Sequence, residues 1–220
     1  MIITTKHVYN TSVECDSGPL GRVCDLLFDD RSWRVRHLVV RIGRWPLRRR
    51  VLVDPGDIAA ADWNGHKLRF RGAAQELMSS PCLDTDPPVA LQKQWQDAYV
   101  AFDAYWAGAV DNQPSLGDPH LRSTRAVAGH RVYGLDRFAG AIANFVIDDV
   151  GWLIRYLVVQ VGPRRDRKLV TLEPRWVQSL SWDDRAVHIR LSQSALEECP
   201  AFDMCCEPSR VADADMPRVP

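Results

Sequence analysis

The stretch FDDRSWRVRHLVVRIG, from Phe28 to Gly43, returns 119 residues later as IDDVGWLIRYLVVQVG, from Ile147 to Gly162. The two copies share both aspartates, a tryptophan, an arginine, a Leu-Val-Val run and the closing glycine. The identical pairs are Asp29/Asp148, Asp30/Asp149, Trp33/Trp152, Arg36/Arg155, Leu38/Leu157, Val39/Val158, Val40/Val159 and Gly43/Gly162. Such a match indicates internal duplication of one structural unit.

The duplication extends well beyond this stretch. From Gly18 to Asp84 the second copy follows the first without an inserted or deleted residue, and about a quarter of the positions are identical. The same register already pairs Thr5 with Thr124 near the start of each copy. One structural interpretation therefore applies to both copies.

The pattern within one copy predicts short strands. Trp33 to Ile42 is the longest, and its apolar middle indicates that both faces are covered. The preceding Asp29–Ser32 segment is polar and predicts a turn. In the second copy this turn contains Gly151, which can adopt a positive φ.

The end of each copy has its own signals. Asn64-Gly65 predicts a type I′ turn joining Ile58–Trp63 to His66–Arg71. Short helices are predicted at 73–78 and, with a serine cap, at 192–198. Five or six short strands bury two faces and lose their edges by closing into a barrel. We therefore expect a mainly β protein made of two small antiparallel barrels in tandem.

An amphipathic helix is predicted between the two copies. After Asp86-Pro87-Pro88, apolar residues recur at three- and four-residue steps: Leu91, Trp95, Ala98, Tyr99, Phe102 and Trp106. This aromatic stripe either packs on the barrels or forms a face for a partner or a second copy. The resulting domain prediction is repeat one at 1–84, a helical linker at 85–119, repeat two at 120–203 and a disordered tail at 204–220.

Composition excludes few functions. The 220 residues contain 28 basic and 28 acidic side chains, so net charge predicts neither nucleic-acid nor membrane binding. The N-terminus lacks a signal-peptide pattern, no apolar run is long enough to span a bilayer, and the six cysteines form no C-x-x-C pair. We expect a cytoplasmic protein with free thiols; Cys205-Cys206 is read as an incidental pair rather than a metal or redox site.

The combined motifs resemble a known family. Gly21-x-Val23, the Phe28 to Gly43 stretch, Val51-Leu52-Val53-x-Pro55 and the middle segment beginning DTDPPV resemble bacterial tandem PRC-barrel proteins, related to the cytoplasmic domain of the photosynthetic reaction-centre H subunit. The resemblance covers nearly the whole chain. It implies a docking module for proteins with no shared catalytic residue. The family's usual Gly-Asn-Trp-Leu-Pro-Gly-Lys-Lys loop is absent, and so is the H subunit's membrane segment.

Two arginine-rich loops are the sharpest functional signal. Arg41 and the loop after it concentrate cations beside Trp45. The equivalent loop of the second copy is also rich in cations. The candidate anion- or partner-binding residues are Arg44, Trp45, Arg48, Arg49, Arg50, Arg164, Arg165, Arg167 and Lys168. They are either solvated loop charge or a surface for RNA, the ribosome or acidic lipid.

Other polar groups have structural interpretations. Asp29-Asp30 and Asp148-Asp149 lie in tight turns that offer no catalytic cleft. Arg36 and Arg155 are expected to pair with these aspartates. No histidine pair has metal-ligand spacing, and no nucleophile or phosphate-loop motif occurs.

The sequence therefore predicts a non-enzymatic scaffold without cofactor. It would dock a protein partner, or a second copy of itself, through the barrels and the candidate helix interface of Trp95, Tyr99, Phe102 and Trp106. An anion-binding module that takes nucleic acid or lipid is the first alternative, and an enzyme is the second. No small-molecule substrate is evident from the sequence.

Overall fold

The duplication is visible throughout a computed structural model that describes residues 1–43, 48–95, 117–162 and 167–202. Every element of the first copy returns 119 residues later, within one residue at each end. The first copy contains β1 (Ile2–Thr4), α1 (Thr5–Val8), β2 (Ser12–Cys15), β3 (Gly18–Asp29), β4 (Val35–Ile42), β5 (Arg49–Val53), a 3-10 turn (Pro55–Asp57), β6 (Ile58–Asp62), β7 (Lys67–Phe70) and α2 (Ala74–Ser79). Residues 89–95 are helical and are called α3.

The second copy repeats this order. It contains β8 (Leu121–Ser123), α4 (Thr124–Val127), β9 (Arg131–Tyr133), β10 (Phe138–Asp148), β11 (Leu153–Val161), β12 (Lys168–Leu172), a 3-10 turn (Pro174–Trp176), β13 (Val177–Ser181), β14 (Ala186–Ile189) and α5 (Gln193–Glu197). The prediction of a mainly β fold is confirmed. The sequence did not predict α1, α4 or the short strands that precede them.

Two seven-stranded sheets result, and they share one topology. The first runs β5-β4-β3-β2-β7-β6 and the second β12-β11-β10-β9-β14-β13. All described pairs are antiparallel except β2 with β7 and β9 with β14, which are parallel. The expectation of purely antiparallel sheets is therefore wrong at one pair in each copy.

The seventh strand of each sheet comes from the other copy. Strand β1 pairs with β10, and β8 pairs with β3. In register, Ile3 lies opposite Ile147 and Arg122 lies opposite Phe28. Each long strand is thus completed along half of one edge by the opposite copy, and the two sheets are interlocked.

A hydroxyl network holds each exchanged segment. The Thr5 hydroxyl donates to the Asn144 side-chain oxygen, while Ser123 and Thr124 donate to the carboxylate of Asp25. Asp25 and Asn144 occupy equivalent positions in the two copies. Because an unpaired polar group inside a protein is costly, these bonds help to hold each exchanged segment on its edge.

The two copies also meet at Trp33 and Trp152. The backbone N–H of Val35 donates to the Trp152 carbonyl, and that of Ile154 donates to the Trp33 carbonyl, both at 2.8 Å. Both tryptophans have a positive φ, of 58° and 50°. Such a backbone is strained for an aromatic residue, so the surrounding contacts must hold it.

One hydrophobic core serves both copies. The rings of Phe28 and Phe145 have centroids 5.7 Å apart, and both are fully buried. Trp33 stacks on Phe28 at 5.5 Å. Leu77 and Leu196, one from each closing helix, are also completely buried in this core.

Neither sheet closes into a barrel in the described part of the chain. The outer edge of β5 is covered instead by residues 81–83, where the Leu52 N–H donates to the Pro81 carbonyl at 2.8 Å. The Thr171 N–H makes the equivalent bond to Pro200 at 3.0 Å. These segments take the hydrogen bonds that closure onto β6 or β13 would have used, so the expected closed barrels are not observed.

Two turn details differ from the prediction. The Asn64-Gly65 hairpin forms, but its positive φ lies at His66, in a four-residue loop rather than a type I′ turn. In the equivalent loop of the second copy, the residue with a positive φ is Arg185. The turn after Asp148 likewise places its positive φ at Trp152 rather than at Gly151.

The shared core predicts cooperative unfolding of both copies together. Phe28→Ala should lower the free energy of unfolding by about 3–5 kcal/mol, because a buried ring is replaced by a cavity. Tryptophan fluorescence and far-ultraviolet circular dichroism should report one coincident, shifted urea transition. Two separate transitions, with only one displaced by the substitution, would contradict the shared core.

Candidate functional site

The described part of the predicted arginine site lies at the entry to two strands. Arg48 precedes β5, and Arg49 and Arg50 are its first residues. Arg167 precedes β12, and Lys168 is its first residue. Four of the predicted residues fall outside the described residues: Arg44, Trp45, Arg164 and Arg165. The structure therefore describes the strand side of each loop.

Strand pairing brings three arginines into one row. Arg22 on β3 lies directly opposite Arg41 on β4, which lies directly opposite Arg50 on β5. Directly paired residues point to the same face of a sheet, so the three side chains are neighbours, and all three residues are exposed. We call this set the arginine row.

The row has no acidic partner in the described structure. No described carboxylate lies within ion-pair distance of Arg22, Arg41 or Arg50, although Arg22 donates to the Asn10 carbonyl at 2.9 Å. Like charges directly opposite each other destabilise a sheet. The row is therefore an electrostatic cost to the folded protein.

The second copy builds the same three strands without charge. Its equivalent residues, paired in the same register, are Ala141, Gln160 and Leu169. The fold therefore does not require arginine at these positions. This contrast separates the arginine row from the residues that merely maintain the repeat.

Arg49 has a structural role instead. Its guanidinium donates to the Cys82 sulfur at 2.8 Å and to the Met78 carbonyl at 3.2 Å. The equivalent Lys168 donates to the Glu197 carbonyl at 2.9 Å. Each cation thus donates a hydrogen bond to a backbone carbonyl near the C-terminal end of a closing helix, where positive charge is favourable.

A shallow cleft borders the arginine row. Its volume is about 490 Å³, and it is lined in part by Arg22, Arg41 and Arg48. Gly21 also lines the cleft, and a Cβ there would approach the Arg41 carbonyl oxygen to 2.6 Å. The glycine permits the close approach of β3 and β4 that sets the row.

Asp25 lies one row further along the same face, opposite Val39. Its carboxylate accepts from the Thr124 hydroxyl at 3.1 Å and from the Leu26 backbone at 2.8 Å. Burial raises the pKa of Asp25 although these hydrogen bonds oppose the rise. Burial also raises the pKa of Cys24, with Asp25 adding to it, so this neighbouring thiol stays protonated.

The turn aspartates organise the junction of the copies. Asp29 accepts from the Ser32 backbone at 2.8 Å, and its pKa is lowered by hydrogen bonds from the turn despite some burial. Asp30 binds Arg122 at 2.6 Å and His120 at 2.8 Å. This supports the structural interpretation of the aspartate pairs over an acid–base role.

The predicted arginine partners are half correct. Arg155 pairs with Asp148 at 3.1 Å, as expected. Arg36 instead pairs with Asp118, which lies just before β8. Because β8 occupies the edge of β3, it brings Asp118 to Arg36, a consequence of strand exchange that the local sequence does not show.

Helix α3 begins against the outer face of the first sheet. Leu91 packs on an apolar cluster that includes Leu83, and the Gln92 amide donates to the Pro87 and Asp118 carbonyls at 2.7 and 2.9 Å. Trp95 is half-buried. The rest of the predicted helix interface lies outside the described residues: Tyr99, Phe102 and Trp106.

Other chemistry is sparse in the part of the chain that the structure describes. No group of three or more metal-ligating side chains occurs there, and no helix there is long and apolar enough to cross a bilayer. His130 is buried with both ring nitrogens unpaired, and burial lowers its pKa to about 4. It lies against Trp182, at 5.8 Å, with no described nucleophile or acid bonded to it.

No protein-family model matches the chain, and no curated protein matches it. The function of the protein is therefore inferred from its own residues.

The arginine row predicts a substitution that stabilises the protein. Arg41→Gln, which installs the residue of the second copy, should raise the free energy of unfolding by about 0.5 kcal/mol at low salt by removing two like-charge contacts. The gain should shrink as salt screens the charges. Urea titrations at low and high salt measure it, and a lower stability at low salt would contradict the unfavourable row.

The raised pKa of Asp25 predicts a pH-dependent effect of Asp25→Asn. A carboxyl group with a raised folded pKa is most favourable when protonated, so its contribution falls as pH rises from its unfolded value, about 3.9, through the folded value. The variant should therefore gain stability relative to wild type between pH 4 and pH 7, measured by urea unfolding.

Asn144→Asp supplies the matched control for this prediction. It places a carboxyl group in the equivalent network and should lose stability relative to wild type over the same pH range. Parallel pH profiles for wild type and Asp25→Asn would show that burial does not control this carboxylate.

Proposed function

We propose that the protein is a non-enzymatic, cytoplasmic docking module of the tandem PRC-barrel type, and that the arginine row binds an acidic segment of a protein partner. The row is the observation that carries the proposal. It sets three guanidinium groups side by side on an exposed sheet face, with no carboxylate in the described structure to neutralise them.

An acidic partner would remove the electrostatic cost of the row. Carboxylates placed over paired guanidinium groups form charge-assisted, often bidentate hydrogen bonds. Arginine is also enriched among the residues that dominate binding energy at protein interfaces. The uncharged equivalents in the second copy indicate that the charges serve binding and not folding.

Several features favour a protein over a nucleic acid. The whole chain has equal numbers of acidic and basic residues, so no general field attracts a polyanion. The row spans only three adjacent strands, which suits a short acidic segment. On this face the strand residues that follow the row, Val39 and Leu52, are buried beneath Leu83 and α3, so the exposed basic surface is short.

The second copy has a complementary role in this proposal. At the position of Arg50 it has Leu169, which packs with Phe202 on the cluster formed by Ile2, Val146 and Val158. The second copy thus supplies rigidity through the exchanged strand and the shared core. The four described cysteines are free thiols, which suits a reducing compartment.

The docking role predicts that charge reversal in the row abolishes partner capture. The tagged full-length chain is incubated with nuclease-treated lysate of the source organism at moderate salt, and bound proteins are quantified by mass spectrometry. Arg41→Glu with Arg50→Glu should reduce recovery of an acidic partner at least about tenfold, as expected for loss of dominant interface charges.

The control reverses two exposed arginines of the second copy. Arg131→Glu with Arg190→Glu makes the same change in net charge away from the row, and should leave capture unchanged. Equal recovery with both double variants would refute docking through the row. A parallel capture from untreated lysate tests the nucleic-acid alternative, which would be favoured by binding that is present there and lost after nuclease treatment.

A further inference from the structure

A second basic site lies where the two copies meet. A cleft of about 660 Å³ is lined by Arg34, Arg36, Gly56 and Arg71 of the first copy and by Val150 and Trp152 of the second. We call it the junction cleft. Its volume is in the range of small-molecule sites, and its residues are distinct from those of the arginine row.

The carboxylates at this cleft are already engaged. Asp54 accepts from the Gly56 backbone N–H at 2.7 Å. Asp149 accepts from the Trp63 indole at 2.7 Å and pairs with the N-terminal ammonium of Met1. Asp149 therefore already has a cationic partner, whereas Asp54 is bonded to a neutral N–H and still offsets part of the positive charge of the arginines that line the cleft.

Two arginines remain available at the cleft. Arg36 is paired with Asp118, but Arg34 and Arg71 are exposed and have no described carboxylate within ion-pair distance. The backbone of Arg71 is fixed by its N–H bond to the Asp57 carbonyl at 2.8 Å. Arg34 and Arg71 line the same cleft from two separate parts of the first copy.

The equivalent place in the second copy differs from the junction cleft at several lining positions. Leu153 replaces Arg34, and Arg175 replaces Gly56. Arg175 pairs with Glu173 at 2.9 Å and lies over the Trp176 ring at 5.4 Å. The equivalent place thus has a paired arginine where the first copy has a glycine, and a further cation, Arg31, stands at the position of Val150 and not at that of Arg34.

We propose that the junction cleft binds a small anionic molecule, whose phosphate or carboxylate group is held between Arg34 and Arg71. A guanidinium group matches either oxyanion through two parallel hydrogen bonds. Gly56 has no side chain and so leaves space for the ligand. The walls of the cleft are the 3-10 turn that contains Gly56 and the turn that contains Trp152. This site extends the function beyond protein docking and does not depend on the arginine row.

The test is a ¹H–¹⁵N correlation titration of the full-length protein. Inorganic phosphate and malonate are titrated separately, with sodium chloride holding the ionic strength constant. The proposal expects saturable shifts centred on the amides of Gly56, Gly151 and Trp152. Whichever anion saturates at lower concentration identifies the ligand class.

Variants decide whether the arginines are responsible. Arg34→Leu installs the residue of the second copy and should weaken binding at least about tenfold, as should Arg71→Gln. Arg190→Gln removes the equivalent of Arg71 from the second copy and should leave the affinity unchanged. Unshifted distant resonances confirm that each variant is folded.

Three results would overturn the proposal. They are shifts that grow without saturation for both anions, saturable shifts that persist unchanged in Arg34→Leu, and shifts centred on the arginine row. Because the docking experiment uses Arg41 and Arg50 and this one uses Arg34 and Arg71, either proposal can fail without the other.

Discussion

The reciprocal exchange of strands β1 and β8 is the constraint on which the rest of this structure depends. Half of one edge of each long strand would otherwise present unpaired backbone groups beside the core, and burying such groups is costly. The opposite copy supplies the missing strand, its hydroxyls bind Asp25 or Asn144, and the rings of Phe28 and Phe145 come into contact. Neither copy therefore has a complete sheet or a complete core of its own.

Much of this architecture follows from the sequence. The duplication, the order of strands from β3 to β7, the polar turns and the closing helices are all local patterns, and local patterns determine local structure. The strand exchange is different. Ile2–Thr4 and Leu121–Ser123 have similar patterns, and the edges of β3 and β10 are equivalent, so the sequence fits pairing within a copy as well as pairing between copies. Only the packed structure distinguishes them, and it also determines that Arg36 meets Asp118.

The candidate site shows the same division. The clustering of arginine around the loop before β5 is plain in the sequence, yet Arg22 is far from that cluster along the chain. It joins Arg41 and Arg50 only through the strand register, which includes an irregularity between Val23 and Asp25 that periodicity does not reveal. Conversely, Arg49 belongs to the cluster by sequence and yet serves the end of α2. Nearness along the chain thus groups residues that the structure separates, since Arg41 and Arg50 lie in the exposed row whereas Arg49 is bonded to the end of α2.

Interlocking also explains how charge can be concentrated in one copy. Three adjacent arginines weaken the sheet that carries them, and a small independent domain has little stability to spare. Here the first sheet shares its core with a second copy that has Ala141, Gln160 and Leu169 at the equivalent positions. A local destabilisation is therefore opposed by the cooperative stability of both halves. Duplication followed by strand exchange lets one copy maintain the fold while the other acquires surfaces that the fold alone would not favour.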